Sequence, residues 1–232
     1  MLCLYQLSDK SLLHFLVLKG ASSPSLMSQF LWNMNCSARG HLKEQIMHYI
    51  GDGSRFGVKV DYAIEPEGIF LGSARGVKLA THLLTDTFLV LQGDAYTTID
   101  LAKALAFHRQ SKADATIILK EVSDPWLYGV VVCDSNGRIS AFQEKPQKGQ
   151  ERSNLVSTGI YCLELDVLDL ITSGECDFAK DIFPRLLNEG RRLFGFVITR
   201  AGRLELGSKI TKKLTYLESS LIDRNMSRAT MS

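Results

Sequence analysis

The sequence predicts an α/β protein built on a doubly wound, mostly parallel sheet with an antiparallel ribbon added to it. Three observations carry that expectation. Strand-like and helix-like segments alternate from about residue 41 onward, a rhythm that favours parallel strands joined by right-handed crossovers. The run Phe88-Leu89-Val90-Leu91 is apolar at every position, as a strand covered on both faces must be. Asn136-Gly137 separates two short apolar stretches, which favours a tight hairpin.

In chain order, His41 to Ile50 carries Leu42, Ile46 and Ile50 at helical spacing, and Gly51-Asp52-Gly53 closes it. Val58, Val60, Tyr62 and Ile64 alternate with polar residues, the pattern of a half-buried strand. Ser73 to Leu84 reads as a helix with Val77, Ala80 and Leu84 on one side, followed by the buried strand Thr87 to Leu91. Asp100 can cap a helix over Leu101 to Gln110, and Ala115 to Leu119 supplies the next apolar strand. Gly129 to Cys133 and Arg138 to Phe142 form the ribbon, and Gly159 to Leu163 is a further strand. Helical stretches follow at Val167 to Ile171 and at Ala179 to Leu187, the second bent near Pro184. Residues 1–40 show no sustained period and form an atypical N-terminal segment; 41–208 make up the main domain, and 209–232 read as a C-terminal helix and tail.

The 232 residues are 45% hydrophobic and 22% charged, the profile of a packed globular protein. With 27 basic against 25 acidic residues the net charge is +2, so nothing in the overall balance asks for nucleic acid or an anionic membrane. The five cysteines are widely spaced, odd in number and include no C-x-x-C pair, which points to reduced thiols in a cytoplasm. The apolar run Leu12 to Leu18 is too short to span a bilayer, and His14 within it and Asp9 before it argue against a secretory signal.

Chemistry concentrates at three places. Gly93-Asp94 follows the buried strand, and in a doubly wound sheet ligands bind beyond the carboxyl ends of strands. A carboxylate there can ligate Mg²⁺, can cap its own turn, or can accept a phosphoryl group. Leu71-Gly72-Ser73-Ala74-Arg75-Gly76 precedes a helix, and its small residues would let backbone amides approach a nucleotide. Glu144-Lys145-Pro146 ends a strand with an acceptor, an ammonium and a rigid stop; the lysine suits a phosphate, while a solvated surface pair is the plainer alternative.

Taken in order, EQIMHYIGDGSRFGVKVDYAIE, LGSARG, FLVLQGD, YGVVVCDSNGRISAFQEKP, SNLVSTGIY and CDFAKDIFPRLL resemble the sugar-phosphate nucleotidyltransferases, the nucleotide-sugar pyrophosphorylase family. The resemblance implies a Rossmann-like nucleotide-diphospho-sugar fold, with an NTP and a sugar 1-phosphate as substrates, an NDP-sugar and pyrophosphate as products, and Mg²⁺ as cofactor. It implies Asp94 as a metal-binding and catalytic residue, Lys145 as the catalytic lysine at the sugar phosphate, and Leu71, Gly72 and Gly93 on the nucleotide side. Tyr128, Gly129, Glu144 and Gly159 would contact the sugar. Arg203 to Ser208 is similar to the family's W-x-D-I-G turn, with Glu205 standing for the second metal-binding aspartate.

The chain also departs from that pattern. Neither G-G-x-G-T-R-L nor the following P-K-P occurs in it; Phe15 to Ser23 offers a strand and a small-residue loop without the arginine. Arg75 stands where glycine is usual, and Ser157-Thr158 where Asn-Ala is common. The expectation is therefore a family fold with an intact sugar side and impaired turnover, because the absent loop both positions and neutralises the triphosphate. The alternative expectation is a non-catalytic nucleotide-sugar-binding paralogue. Self-association, or pairing with a catalytic subunit, fits either.

Overall fold

The computed structural model describes residues 71–92 and 99–198 throughout. It also describes 44, 47–48, 50–56, 59–66 and 69, and the strands at 14–19, 31–36, 95–97 and 204–206. Strands β1 (His14–Lys19), β2 (Leu31–Cys36) and β3 (Lys59–Ile64) precede helix α1 (Gly72–Lys78). Then come β4 (Phe88–Gln92), β5 (Ala95–Thr97), helix α2 (Leu101–Gln110), β6 (Ala115–Glu121), β7 (Gly129–Cys133), β8 (Ile139–Glu144) and β9 (Leu155–Leu163). Helix α3 (Phe183–Asn188), β10 (Leu193–Val197) and β11 (Leu204–Leu206) complete the described elements.

The main sheet has the order β10-β6-β9-β4-β1-β2-β3, with β7 paired to β9 and β8 to β7. Strands β2, β3, β4, β6 and β10 run one way, whereas β9 and β1 run against them. The sheet is therefore mixed within the expected α/β class. A strand buried on both faces has the same apolar text in either direction, so β9 could not be oriented from its sequence.

Alternate residues of the central strands enter two cores. Phe88, Val90, Ile117, Leu119, Tyr161 and Leu163 face one side, against Val77, Phe183 and Leu186. Leu89, Ile118, Ile160 and Cys162 face the other, against Ala104 of α2 and Val60. The two-residue alternation of a pleated strand thus turns a continuous apolar run into two packed layers.

The helical reading of 73–84 holds its face but not its length: Val77, Ala80 and Leu84 are all buried, while α1 ends at Lys78 and a 3₁₀ turn covers Thr81–Leu83. The stretch before Pro184 winds as a π-type turn over Phe178–Ile182 and then continues as α3. Proline has no N–H to donate to the preceding turn, so the regular ladder is interrupted there. Asp100 caps α2 as expected, its carboxylate accepting the Lys103 amide at 3.3 Å. In the ribbon, Asp134 Oδ1 accepts the amides of Asn136 and Arg138, each at 2.9 Å, which builds the turn between β7 and β8. Among the described residues no helix is long and apolar enough to cross a membrane. The expected helix and tail at 209–232 lie outside the described residues.

Candidate functional site

One end of the sheet gathers most of the chemistry-bearing residues, and strand register shows how. Leu91 near the end of β4 pairs with Ile160, so Gly159 lies one step further toward the carboxyl end of β4. Gly159 has φ +75°, and the register between β9 and β6 shifts beside it. Further back along β9, Ser157 pairs with Leu119, and Val156 pairs with both Lys120 and Val130. Next to Val130, Gly129 pairs with Glu144. The end of β4, the Ser157–Gly159 bulge, Gly129 and Glu144-Lys145 therefore form a continuous row.

Within that row the hydroxyls near Gly159 already have partners. Thr158 donates to the carbonyl of Ile118 at 2.8 Å, and Ser157 Oγ accepts the Gly159 amide at 3.3 Å and bonds the Tyr161 hydroxyl. Burial raises the Tyr161 phenol, so it stays protonated. Tyr161 packs edge-on against Phe183 at 4.9 Å between ring centres, giving the site a rigid aromatic floor.

The side chain of Glu144 is 30% exposed, with Lys145 Nζ 3.9 Å from its Oε1. Burial pushes its carboxyl upward; Lys145 opposes that, Asp177 adds to it and Lys180 opposes it. Gly129 makes room for it: a Cβ there would stand 3.0 Å from Glu144 Oε2 and 2.7 Å from the Phe142 ring. Lys145 has φ +44° and donates its amide to the carbonyl of Tyr128 at 3.1 Å. Lys148 stands 4.6 Å over the ring of Trp126, joining the loops on either side.

The turn at 71–75 is tied to the segment around Cys176. Gly72 has φ +77°, and a Cβ on it would approach the Cys176 carbonyl oxygen to 2.5 Å. The amides of Ala74 and Arg75 both donate to that oxygen, at 3.0 and 3.2 Å, and the Cys176 amide donates to the Leu71 carbonyl at 2.9 Å. The Ala74 and Arg75 amides are thus engaged by the chain itself, at the start of a helix of only seven residues. Arg75 directs its guanidinium to the carbonyl of Thr172 at 2.9 Å. Ser73 donates to Asp177 Oδ2 at 2.6 Å and accepts from the Phe178 amide at 2.9 Å. Asp177 was missed in the sequence; the available signal was its position as cap of the turn at 178–182, where its Oδ1 accepts from Ala179 at 2.9 Å.

Gly93 and Asp94 lie outside the described residues. The short ladder of β5 and β11 pairs Ala95 with Leu206 and Tyr96 with Glu205. Among the described residues there is no group of three or more His, Cys, Asp or Glu side chains able to hold a metal.

Strand β1 departs from the sequence reading. It fills the place beside β4, but Val17 pairs with Val90 in antiparallel register and Lys19 pairs with Phe88, at the start of β4. The carboxyl end of β1 is therefore at the far end of the sheet from Gly159. That far end also carries a cleft of about 470 Å³ lined by His108, Arg109, Asp114, Glu164 and Arg192 among others, none of them a residue singled out in the sequence.

The nucleotidyl transferase family model matches residues 34–207, three quarters of the chain. The chain belongs to that family. It is 44% identical over 163 residues to a UTP–glucose-1-phosphate uridylyltransferase of Synechocystis, covering 65% of this chain and 42% of that protein. It is 36% identical over 150 residues to a mannose-1-phosphate guanylyltransferase of Mycobacterium tuberculosis, covering 63% and 41%. Against the mannose-1-phosphate guanylyltransferase catalytic subunit beta of Xenopus tropicalis the identity is 35% over 141 residues, covering 59% and 38%. The chain's matches thus span about two fifths of the length of these relatives. In fold it is similar to HddC of Yersinia pseudotuberculosis, with a TM-score of 0.60, 22% identity, and coverage of 73% of this chain and 72% of that one. A Bacillus anthracis protein assigned as a glucose-1-phosphate thymidylyltransferase gives a TM-score of 0.63 at 23% identity, covering 75% and 71%.

Proposed function

We propose that this nucleotidyl transferase chain forms an NDP-sugar and pyrophosphate from an NTP and a hexose 1-phosphate, with turnover below that of its longer relatives. The observation that carries the sugar side is Glu144: a half-buried carboxylate whose ion-pair partner among the described residues is the lysine at 3.9 Å, beside a glycine whose missing side chain leaves room for it. Sugar hydroxyls are hydrogen-bond donors, and a half-buried carboxylate can accept from them. Tyr128, Gly129 and Gly159 would complete the sugar contacts, and Leu71, Gly72 and Gly93 the nucleotide side.

In the reaction an oxygen of the sugar phosphate attacks the α-phosphorus of the NTP, the new P–O bond forms, and the bond to the β-phosphate breaks to release pyrophosphate. Lys145 would hold the sugar phosphate as a point charge. Asp94 and Glu205 would hold Mg²⁺, which when bound supplies charge neutralisation at the phosphoryl oxygens. The antiparallel seat of β1 and the lack of G-G-x-G-T-R-L in the chain favour a second reading, in which it binds nucleotide sugar without turnover beside a catalytic partner subunit. The name of the Xenopus relative, a catalytic subunit, is in keeping with such an assembly.

The test is magnesium-dependent pyrophosphate release by the purified chain with UTP, GTP, dTTP and ATP against glucose 1-phosphate and mannose 1-phosphate, with calorimetric binding of UDP-glucose and GDP-mannose alongside. Slow release with one pair supports the first reading, and binding without release supports the second. Failure of every NDP-sugar to bind at millimolar concentration refutes both, and turnover equal to a full-length relative refutes the impairment.

A further inference from the structure

Lys145 occupies a backbone conformation that its own side chain disfavours. Its φ is +44°, in the left-handed region that residues with a Cβ rarely adopt, and such a residue persists only where its surroundings hold it. Its side chain is 69% exposed, so burial does not fix it. The hold comes from the chain on either side. Before it, the ladder that pairs Gly129 with Glu144 gains one more rung, the Lys145 amide donating to the Tyr128 carbonyl at 3.1 Å. After it, a turn is closed by the Gln150 amide on the Gln147 carbonyl at 2.9 Å, with Gly149 at φ +88°. That turn is tied back to β8 through Gln143, whose Nε2 donates to the Gln150 carbonyl at 3.2 Å and whose Oε1 accepts the Arg152 amide at 3.0 Å. It presents Lys148, whose ammonium stands 4.6 Å over the Trp126 ring. Trp126 is in turn set by the 3₁₀ turn Pro125–Leu127, which the Tyr128 amide closes on the Pro125 carbonyl at 3.0 Å. Two loops, one carrying Trp126 and Tyr128 and the other Lys145 and Lys148, are thus joined by a backbone bond and, beyond it, by a cation–π contact.

We propose that Trp126 and Lys148 form a positioning brace for the sugar phosphate: by pinning the loop after β8 to the loop before β7, they keep Lys145 in its left-handed conformation and its ammonium on the sugar side of the site. This rests on the functional reading given above, in which Lys145 meets the phosphate. The Lys148 ammonium is committed to the ring face, which leaves that of Lys145 for the ligand. Without the brace the loop relaxes toward an ordinary backbone at Lys145, and an incoming sugar phosphate must order it again. The loss falls on sugar phosphate affinity, because Leu71 and Gly72 belong to a different segment, tied to Cys176.

The test titrates the full chain in Mg²⁺ with glucose 1-phosphate and mannose 1-phosphate by calorimetry, and separately with the unreactive α,β-methylene analogues of UTP and GTP. Lys148→Met, which keeps the stem and removes the charge, and Trp126→Leu each weaken sugar phosphate binding about three- to fivefold, the size that a cation–π contact at an exposed site supplies. The double variant binds no more weakly than either single one, Lys148→Arg binds like the unmodified chain, and nucleotide affinity is unchanged throughout. Hydrogen exchange of the Lys145 amide, followed by NMR, speeds up by a similar factor in Lys148→Met and Trp126→Leu and stays slow in Lys148→Arg. Circular dichroism checks the fold, and Lys148→Met, at an exposed position, carries the test if Trp126→Leu does not fold. If Lys148 instead touches the phosphate directly, Trp126→Leu frees its ammonium and leaves binding as tight or tighter; that result overturns the proposal. Unchanged sugar phosphate affinity in Lys148→Met, or an equal loss of nucleotide affinity, overturns it too and leaves the functional reading intact. Failure of the unmodified chain to bind either sugar phosphate overturns both.

Discussion

Replacing Gly72 with alanine tests the turn at its tightest point. The backbone there has φ +77°, so any L side chain carries the left-handed penalty of about 1 kcal/mol. The added methyl would also sit 2.5 Å from the Cys176 carbonyl oxygen and 2.9 Å from its carbon. Both are backbone atoms, which cannot swing aside as a side chain can, so the two segments must separate. Separation weakens the bonds from the Ala74 and Arg75 amides to that oxygen, each worth about 1 kcal/mol. The expected total loss is about 3 to 4 kcal/mol, a large share of a typical domain's stability of about 5–15 kcal/mol. Urea titration followed by circular dichroism measures it, the midpoint falling by about 1.5–2 M for a slope of about 2 kcal/mol per molar. Gly51 supplies the control: its φ is +61° but nothing lies within 4 Å of a new Cβ, so Gly51→Ala should lose only the conformational part, about 1 kcal/mol. Equal losses from the two substitutions would show that the contact with Cys176 is not constraining.

Three further outcomes can be measured. Glu144 holds its proton more tightly folded than unfolded because burial raises its carboxyl, so its contribution is favourable at low pH and is lost as pH rises; Glu144→Gln should raise the melting temperature at pH 7, leave it nearly unchanged at pH 3 and weaken nucleotide-sugar binding, and a lower melting temperature at pH 7 would contradict this. For Asp114, burial pushes the carboxyl up but is outweighed by the Arg192 amide at 2.7 Å and the guanidinium groups of Arg192 and Arg191, leaving it below its ordinary 3.8. Its stabilisation is thus present above about pH 4 and lost as pH falls further, so Asp114→Asn should lower stability by about 1–3 kcal/mol at pH 7 and flatten the acid limb; an unchanged urea midpoint at pH 7 would count against it. Burial lifts the Cys162 thiol to about 12, leaving a thiolate fraction of roughly 10⁻⁴ at pH 8. Iodoacetamide followed by mass spectrometry should find Cys162 unlabelled in the folded chain and labelled in urea, and equal labelling would place it at the surface.

The elements were legible where local chemistry dictates them. Asp100 announces α2 because a cap acts on amides two or three residues away, and Asp134 to Gly137 announces the ribbon for the same reason. The apolar text of β4 and β6 shows that both faces are covered, and it contains nothing about which strand lies between them. That β9 enters there in reverse depends on the whole chain's path. On the sugar side, Gly129 lay in the expected ribbon, whereas Glu144, its partner there, and Gly159, with its positive φ, were singled out through the resemblance alone. The Ser73–Asp177 bond was not legible, since its partners are 104 residues apart and each alone looks like an ordinary cap or turn residue.

That separation affects how the protein is made. A ribosome has finished the turn at 71–75, α1 and β4 well before it reaches Cys176 and Asp177, so the nascent turn has no partner for its amides until most of the remaining chain has been synthesised. Contacts this distant in sequence close slowly. Any product that stops short of Asp177, through a premature termination codon or a protease cut, retains the glycine-rich text yet lacks what shapes it, and should be handled by quality control as an unfinished protein.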